Sequence, residues 1–419
     1  MSIQIITEKM VLGGNCLAKV NGKNVFVPYA LPGETLDVEI TKSFRDYDLA
    51  KITGIVKSSP HRVQPFCPLY GICGGCNMQH IDTDYQRTLR AEMLRDCFER
   101  EGINPPDIQI ISGKEKGYRA RIQLTDGGFN ERESNRIVPL ASCPVATDAV
   151  NAYLSRVEQK NRPRGRVHIF GDERVQNASL FDHLILAEEK NAVKIGERNL
   201  DEKLKKKIKH YVKPRFAGTS ADSGNFCKLS ILGKAIQFDV QGFFQSNLEV
   251  LEKTVSTLTE NLGGKRALDM YAGAGVFSLF LSGIFEEITL VEHNRDALVQ
   301  AEINLAGKKH QSYGVSGAKW VRQNAEQILA NEGPYDAVVI DPPRSGMEKE
   351  VRDWLCQHKT GQIRSVSCDA ATHARDSAAL IKAGYTLEKL YLLDFYPQTA
   401  HIESLAFFGC FEDESLCGQ

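Results

Sequence analysis

The sequence predicts an α/β protein in three parts: a small N-terminal β-barrel, a central mixed α+β segment and a C-terminal open parallel sheet of the Rossmann type. Three observations predict it. Short alternating runs punctuated by turn pairs fill residues 1–58, a cysteine cluster follows at once, and beyond about residue 240 buried-type strands alternate with helical segments. The 419 residues suit two or three domains, and 42% hydrophobic with 25% charged residues is an ordinary globular composition. No run approaches the roughly 18–20 apolar residues of a membrane helix. Residues 1–9 do not read as a secretion signal, so a cytoplasmic protein with no membrane association is expected. Lys and Arg total 52 against 53 Asp and Glu, a net charge of −1. A nucleic-acid binder of this composition must therefore segregate its charge locally.

The first part, 1–58, has alternating runs at 17–20, 25–28, 36–40 and 50–56, separated by Gly13-Gly14-Asn15, Asn21-Gly22 and Pro32-Gly33. Four or five strands in so short a span predict a barrel, and Ser58-Ser59-Pro60 reads as a linker. In the second part, 59–240, Tyr85, Leu89, Met93, Leu94 and Phe98 recur at helical spacing over about 81–101. Strands of antiparallel flavour follow at 118–124, 166–170 and 231–233. The lysine-rich run at 203–209 reads as a solvated helix face rather than an RNA contact. The third part, 241–419, has buried strands at 267–271, 287–291 and 336–340.

Eleven cysteines without a secretion signal suggest ligands, nucleophiles or buried thiols rather than disulfides. Cys67-x5-Cys73-Gly74-Gly75-Cys76 brings three thiols close together in sequence, and the two glycines allow a tight fold. Cys143, in Ser142-Cys143-Pro144, is the candidate fourth ligand. Four thiolates suit zinc or an iron–sulfur cluster. The spacing is neither that of a zinc ribbon nor the Cys-x3-Cys-x2-Cys of radical enzymes, which tips the reading toward iron–sulfur and leaves zinc open.

In the third part, 268–277 reads as a strand, a glycine turn (Gly273-Ala274-Gly275) and the start of a helix. Such turns lie at the carboxyl edge where open α/β sheets bind ligands. Ser278 occupies the third glycine position of the dinucleotide fingerprint, which argues against a nicotinamide redox enzyme. Glu292 ends the next strand, placed to accept ribose hydroxyls in the manner of S-adenosylmethionine sites. Asn324 falls where an adenine would lie, and Asp341-Pro342-Pro343-Arg344 ends a further strand at the same edge.

Ser367-Cys368-Asp369 ends another buried strand, so Cys368 points into the cleft, whereas Cys16, Cys97, Cys227, Cys356, Cys410 and Cys417 read as inert. A methyltransferase needs a thiol when its acceptor carbon has no lone pair, as at pyrimidine C5. Addition of a thiolate at C6 makes C5 nucleophilic, and a base must then remove the C5 proton. Glu403, in His401-Ile402-Glu403-Ser404, is the candidate base.

These stretches together resemble the RNA uridine C5-methyltransferases, and in particular their iron–sulfur-containing 23S rRNA branch with an N-terminal TRAM domain. The resemblance covers nearly the whole chain. It implies a TRAM-type, OB-like RNA-binding barrel and a Rossmann-like methyltransferase domain. It implies a [4Fe-4S] cluster on Cys67, Cys73, Cys76 and Cys143, and S-adenosylmethionine held by Gln245, Tyr271, Glu292, Asn324 and Asp341. Ser367-Cys368-Asp369-Ala370-Ala371-Thr372 matches the nucleophile motif and Pro397-Gln398-Thr399-Ala400-His401-Ile402-Glu403 the base motif. Asp369-Ala370 departs from the usual Asn-Pro, and Val276 stands where an asparagine is frequent.

The implied reaction is methyl transfer to C5 of a uridine in RNA, 23S rRNA first and tRNA as the alternative, with no obligate protein partner. Basic residues of the barrel and Lys114, Lys116, Arg119 and Arg121 are the expected phosphate contacts. A non-catalytic RNA-binding or assembly factor is the competing class, and the paired Cys368 and Glu403 argue against it.

Overall fold

The computed structural model describes residues 2–178, 183–188 and 225–410; the basic run at 203–209 and Cys417 lie outside these residues. Strands β1 (Ser2–Met10), β2 (Asn15–Val20), β3 (Lys23–Pro28), β4 (Thr35–Ser43) and β5 (Tyr47–Lys57) close a barrel in the order β1-β2-β3-β5-β4. Its interior is the expected inward alternation of Ile5, Cys16, Ala18, Val25, Val27, Leu36 and Val38. Strand β1 was not read from the sequence because its inward positions include Thr7, which breaks the apolar alternation. Its hydroxyl is buried against the carbonyl oxygens of Leu31 and Glu34. The segment after the barrel is pinned. Glu34, fully buried, accepts from Arg62 at 2.6 Å and from the Ser59 N–H at 3.1 Å.

Beyond the barrel, Asp82 caps the helix Thr83–Arg100, which buries Leu89, Met93, Leu94 and Phe98 as its periodicity requires. Strands β6 (Ile108–Ile111), β7 (Arg121–Thr125), β8 (Phe129–Asn130), β9 (Ile137–Val138), β10 (Arg166–Gly171) and β11 (Leu184–Glu188) follow; β12 (Phe226–Ile231) pairs with β13 (Lys234–Asp239). The order β11-β10-β7 forms an antiparallel three-stranded sheet.

The last part contributes β14 (Gly264–Met270), β15 (Phe285–Val291), β16 (His310–Tyr313), β17 (Ala337–Ile340), β18 (Gln362–Ser367), β19 (Thr386–Leu393) and β20 (Glu403–Gly409). They form an eight-stranded sheet in the order β16-β15-β14-β17-β18-β20-β19-β6. Its first five strands are mutually parallel and β20 is antiparallel to both neighbours. Strand β6, from the middle of the chain, adds to the far edge parallel to β19. The helix Thr83–Arg100 goes with it: Arg87 and the fully buried Arg90 both pair with buried Asp394, at 2.9 and 2.8 Å. The large sheet thus takes material from the segment 59–240 as well as from 241–419. Among the described residues no helix is long and apolar enough to cross a membrane.

Candidate active site

The topology brings the predicted site residues to one edge. Strands β14, β15, β17 and β18 run parallel, so Tyr271, Glu292, Asp341 and Cys368, each just after its strand, emerge on the same side. Strand β20 runs the other way and therefore begins there, with Glu403 as its first residue. Ser367 pairs with Ser404, so the next step of the register sets Glu403 opposite Cys368.

The turn after β14 is built to hold a ligand close to backbone. Tyr271 has φ +67°, a left-handed conformation unusual for a residue with a side chain. Gly273 follows at +56° with open space where a Cβ would stand. Gly275, at +74°, packs so closely on Ala301 that a Cβ would approach its Cβ to 2.8 Å. Glu292 accepts from the N–H of Gly273 at 2.9 Å and of Asn294 at 2.6 Å. It thereby fixes the turn while keeping lone pairs for ribose hydroxyls. The Tyr271 hydroxyl accepts from the Glu348 N–H at 3.2 Å. Asn324 lies in a π-helical turn, Val321–Ala325, a distortion frequent at functional sites. Gln245 donates to Glu403 at 3.4 Å.

The buried acceptors without a hydrogen-bond partner among the described residues include Gln245 Oε1 and Asp269 Oδ1. The α-ammonium group of S-adenosylmethionine offers donors for such atoms, so the residues fit that cofactor. Asp269 was missed in the sequence, where the signal was a lone acid inside the buried strand β14. Phe243 was missed as well. Its ring is 69% exposed beside buried Phe244, which stacks on Phe238 with centroids 3.7 Å apart.

Acids crowd this edge. Burial raises Asp269 and Asp341 to about 7, with Ser278 opposing the shift at Asp269 and Glu292 adding to it at Asp341. Burial and then Asp341 push Glu403 up to about 8. Cys368 is raised to about 11 by burial, Glu403 and Asp341, with Arg344 opposing. Asp369 makes up for the missing proline after Cys368. Its carboxylate caps the helix Ala370–Lys382 by accepting from the Thr372 N–H at 2.9 Å, and its own N–H donates to Ser367 Oγ at 3.2 Å.

Cys368 opens into a cleft of about 330 Å³ walled by Arg344, the 399–402 loop, Leu12 and Gly13 of the barrel, Gly74–Asn77 and Arg132. A second cavity of about 390 Å³ lies on the other side of Gly74, Gly75 and Cys76, and Cys67, Cys73, Cys76 and Cys143 all line it together with Arg119. Among the described residues no group of three or more His, Cys, Asp or Glu is placed to hold a single metal ion. The four thiols share one cavity without converging on a single point.

Several expected phosphate contacts are occupied otherwise. Lys9, Lys23, Lys51 and Arg62 of the barrel segment are ion-paired with Asp96, Asp48, Glu39 and Glu34. Arg121 reaches inward to the Gly242 carbonyl at 2.8 Å, steadying the loop of Phe243 and Gln245, and is no surface arm. Cys16, Cys97 and Cys227 are buried, and Cys356 and Cys410 half-buried.

Comparison with known proteins decides the family. Residues 224–409 match the family model of tRNA (uracil-5-)-methyltransferases, and residues 5–53 match the TRAM domain. A Treponema denticola protein described as an uncharacterized RNA methyltransferase is 35% identical over 96% of this chain and 98% of its own. The Halomonas elongata 23S rRNA (uracil(1939)-C(5))-methyltransferase RlmD is 30% identical, over 96% of this chain and 88% of its own. This chain belongs to the RNA uracil-5-methyltransferase family. Such a methyltransferase transfers a methyl group from S-adenosylmethionine to uracil C5 in RNA. Its fold is that of the Pyrococcus abyssi tRNA (uracil-54, C5)-methyltransferase, with TM-score 0.69 at 22% identity, covering 97% of this chain and all of that one.

Proposed function

We propose that this methyltransferase acts on a uridine of 23S rRNA, with Cys368 as nucleophile and Glu403 as base. The observation that carries the residue roles is the β18–β20 register, which faces the thiol and the carboxylate across the carboxyl edge of the sheet. The rRNA assignment is supported by 30–31% identity over 94–96% of the chain to enzymes named for that substrate. Acting on such an RNA agrees with the cytoplasmic location expected from the sequence.

S-adenosylmethionine supplies an electrophilic methyl group when bound, and Gln245, Tyr271, Glu292, Asn324 and Asp341 are its proposed contacts. Cys368 gives its proton to water and its sulfur forms a bond to C6, so that C5 carries the electron pair that takes the methyl. Glu403 then accepts the proton from C5, the Cys368–C6 bond breaks, and the double bond of the methylated base is restored. Arg344, on the wall of the cleft, would meet a phosphate of the extruded nucleotide, while Arg132 on the same wall is engaged by Glu133 and Tyr29. Exposed Phe243 offers a ring for an unstacked base.

Cys67, Cys73, Cys76 and Cys143 are proposed to hold a [4Fe-4S] cluster. Such a cluster would cross-link the loop of Cys73 and Cys76 to the segment of Cys143; no step of the reaction needs an electron.

The test uses 23S rRNA fragments, tRNA and 5-fluorouridine RNA with the wild-type protein and Cys368→Ala. Wild type should methylate a single rRNA fragment and trap the fluorinated RNA covalently, and Cys368→Ala should do neither. Methylation of tRNA alone would overturn the substrate, and full turnover by Cys368→Ala would overturn the mechanism.

A further inference from the structure

The loop between β19 and β20, which delivers Glu403, is gripped from outside the large sheet. Asn77 and the residue after it supply three of the hydrogen bonds that hold it, beside those from Gln86, from the Tyr118 hydroxyl to the Pro397 carbonyl and from Asn247 to the Phe395 carbonyl. The N–H groups of Asn77 and Met78 donate to the Gln398 carbonyl at 3.1 and 3.0 Å. The Asn77 side chain accepts from the Ala400 N–H at 2.9 Å and donates to the Gly13 carbonyl, in the β1–β2 turn, at 3.2 Å. One amide thus joins the loop after Cys76, the barrel and the base-bearing loop.

Gln86, fully buried on the helix Thr83–Arg100, holds the same loop from below. It accepts from the Gln398 N–H and donates to the Gln398 side chain, both at 2.9 Å. Gln398 sits at φ +70°, a conformation that its surroundings must impose. The fit is tight: a Cβ on Gly14 would come within 2.7 Å of Ala400 Cβ and 3.2 Å of Asn77 Nδ2. Gly13, Asn77 and Ala400 all line the Cys368 cleft.

We propose that Asn77 is the positioning residue for the elimination half of the reaction. By fixing the backbone at Gln398 and Ala400 it sets where Glu403 stands relative to C5 of the uracil bonded to Cys368. By its bond to Gly13 it seats the barrel against the same wall. Removal of the C5 proton is the step that uses the carboxylate this loop delivers. The inference rests on Glu403 being the base.

The experiment follows turnover and covalent enzyme–RNA adduct, on denaturing gels with an ordinary uridine substrate, for wild type, Asn77→Ala, Asn77→Asp and Glu403→Gln. Asn77→Ala should lower kcat by about 10-fold with KM for S-adenosylmethionine within about twofold, and should accumulate methylated adduct. Asn77→Asp keeps the acceptor for the Ala400 N–H and sets an oxygen against the Gly13 carbonyl. It should recover most of kcat, free of adduct, while binding RNA more weakly. Wild-type kcat in Asn77→Ala, or adduct formation falling in step with turnover, would overturn the proposal. Should Asn77→Ala fail to fold, Asn77→Ser, which draws the acceptor back from the Ala400 N–H, decides in its place: lowered kcat with adduct build-up supports the proposal and wild-type kcat overturns it. Glu403→Gln separates the two readings. If it accumulates adduct and Asn77→Ala does not, only the role of Asn77 falls; if Glu403→Gln accumulates none, the base assignment falls and this proposal with it.

Discussion

Two sets of thiols lie on either side of one short loop, Gly74 to Cys76, and their surroundings differ. On one side Cys73, Cys76 and Cys143 are raised by burial, Cys76 to about 12, and each feels Arg119 as an opposing cation. On the other side Cys368 is raised by burial and by two carboxylates, Glu403 and Asp341, with Arg344 opposing. The backbones differ too. Cys368 sits in a turn closed by its own neighbours, Ser367, Asp369 and Thr372. The loop of Cys73 and Cys76 has two glycines, and its few bonds include the Gly74 N–H to the Asn130 carbonyl at 3.2 Å. A turn that holds itself suits the nucleophile role proposed for Cys368, and a glycine-rich loop suits the ligand role proposed for Cys73 and Cys76.

Exchanging the same atom on the two sides should give the largest contrast. Cys368→Ser should lower turnover by roughly 10⁴-fold or more, because a hydroxyl is a far weaker nucleophile, and should leave the melting temperature unchanged. Cys143→Ser should do the reverse in kind. With a cluster held as proposed, it should cost the anaerobically purified protein iron and acid-labile sulfide and lower the melting temperature by roughly 5–10 °C through loss of the cross-link. Absorption spectra, metal content and thermal melts of both variants check this. Equal melting temperatures with full iron in Cys143→Ser would remove that residue from the ligand set.

The acidic edge makes a second contrast, in pH. Asp269 and Asp341 near 7 and Glu403 near 8 all lie above the carboxylate's ordinary range. The folded state therefore holds protons that the unfolded chain releases near pH 4. Their contribution to stability is complete below about pH 4 and is lost as pH rises through 7–8. The cofactor-free protein should melt at progressively lower temperature from pH 6 to 9. Activity should move the other way over the same window, since Glu403 must be ionised to take a proton. Saturating S-adenosylmethionine, a cation beside these acids, should flatten the loss of stability. A melting temperature that does not fall from pH 6 to 9 without cofactor would show the acids to be ionised already.

What the sequence disclosed follows the same division. That Cys368 and Glu403 come to one sheet edge was legible because each lies in a short local motif at a strand end; their roles were proposed because attack at an unactivated ring carbon demands a thiol and a base. The barrel was legible from its turn pairs. Asp269 was not, since a single acid in an apolar strand reads as tolerated until its orphaned oxygen is seen. Asn77 and β6 were not legible either. Their partners, Ala400 and β19, lie at the other end of the chain, and nothing in the local pattern announces a contact of that range.

The smallest effect expected concerns the departure after the nucleophile. If the Cys368 turn is rigid through hydrogen bonds, then the proline usual at position 370 is dispensable, and restoring it adds little. Ala370 is the first residue of its helix, where an N–H has no intrahelical partner. Asp369 before it is extended, with φ −140° and ψ 113°, which suits a residue preceding proline. Ala370→Pro should change stability by no more than about 1 kcal/mol and leave kcat as it is. Asp369→Ala removes the cap and should cost about 1 kcal/mol, with a modest fall in the rate of adduct formation on 5-fluorouridine RNA. Combining the two should restore the adduct rate if rigidity is all that the cap supplies. If Asp369→Ala slows adduct formation and Ala370→Pro does not rescue it, the carboxylate acts on the thiol or the RNA directly, and the turn is more than a rigid mount.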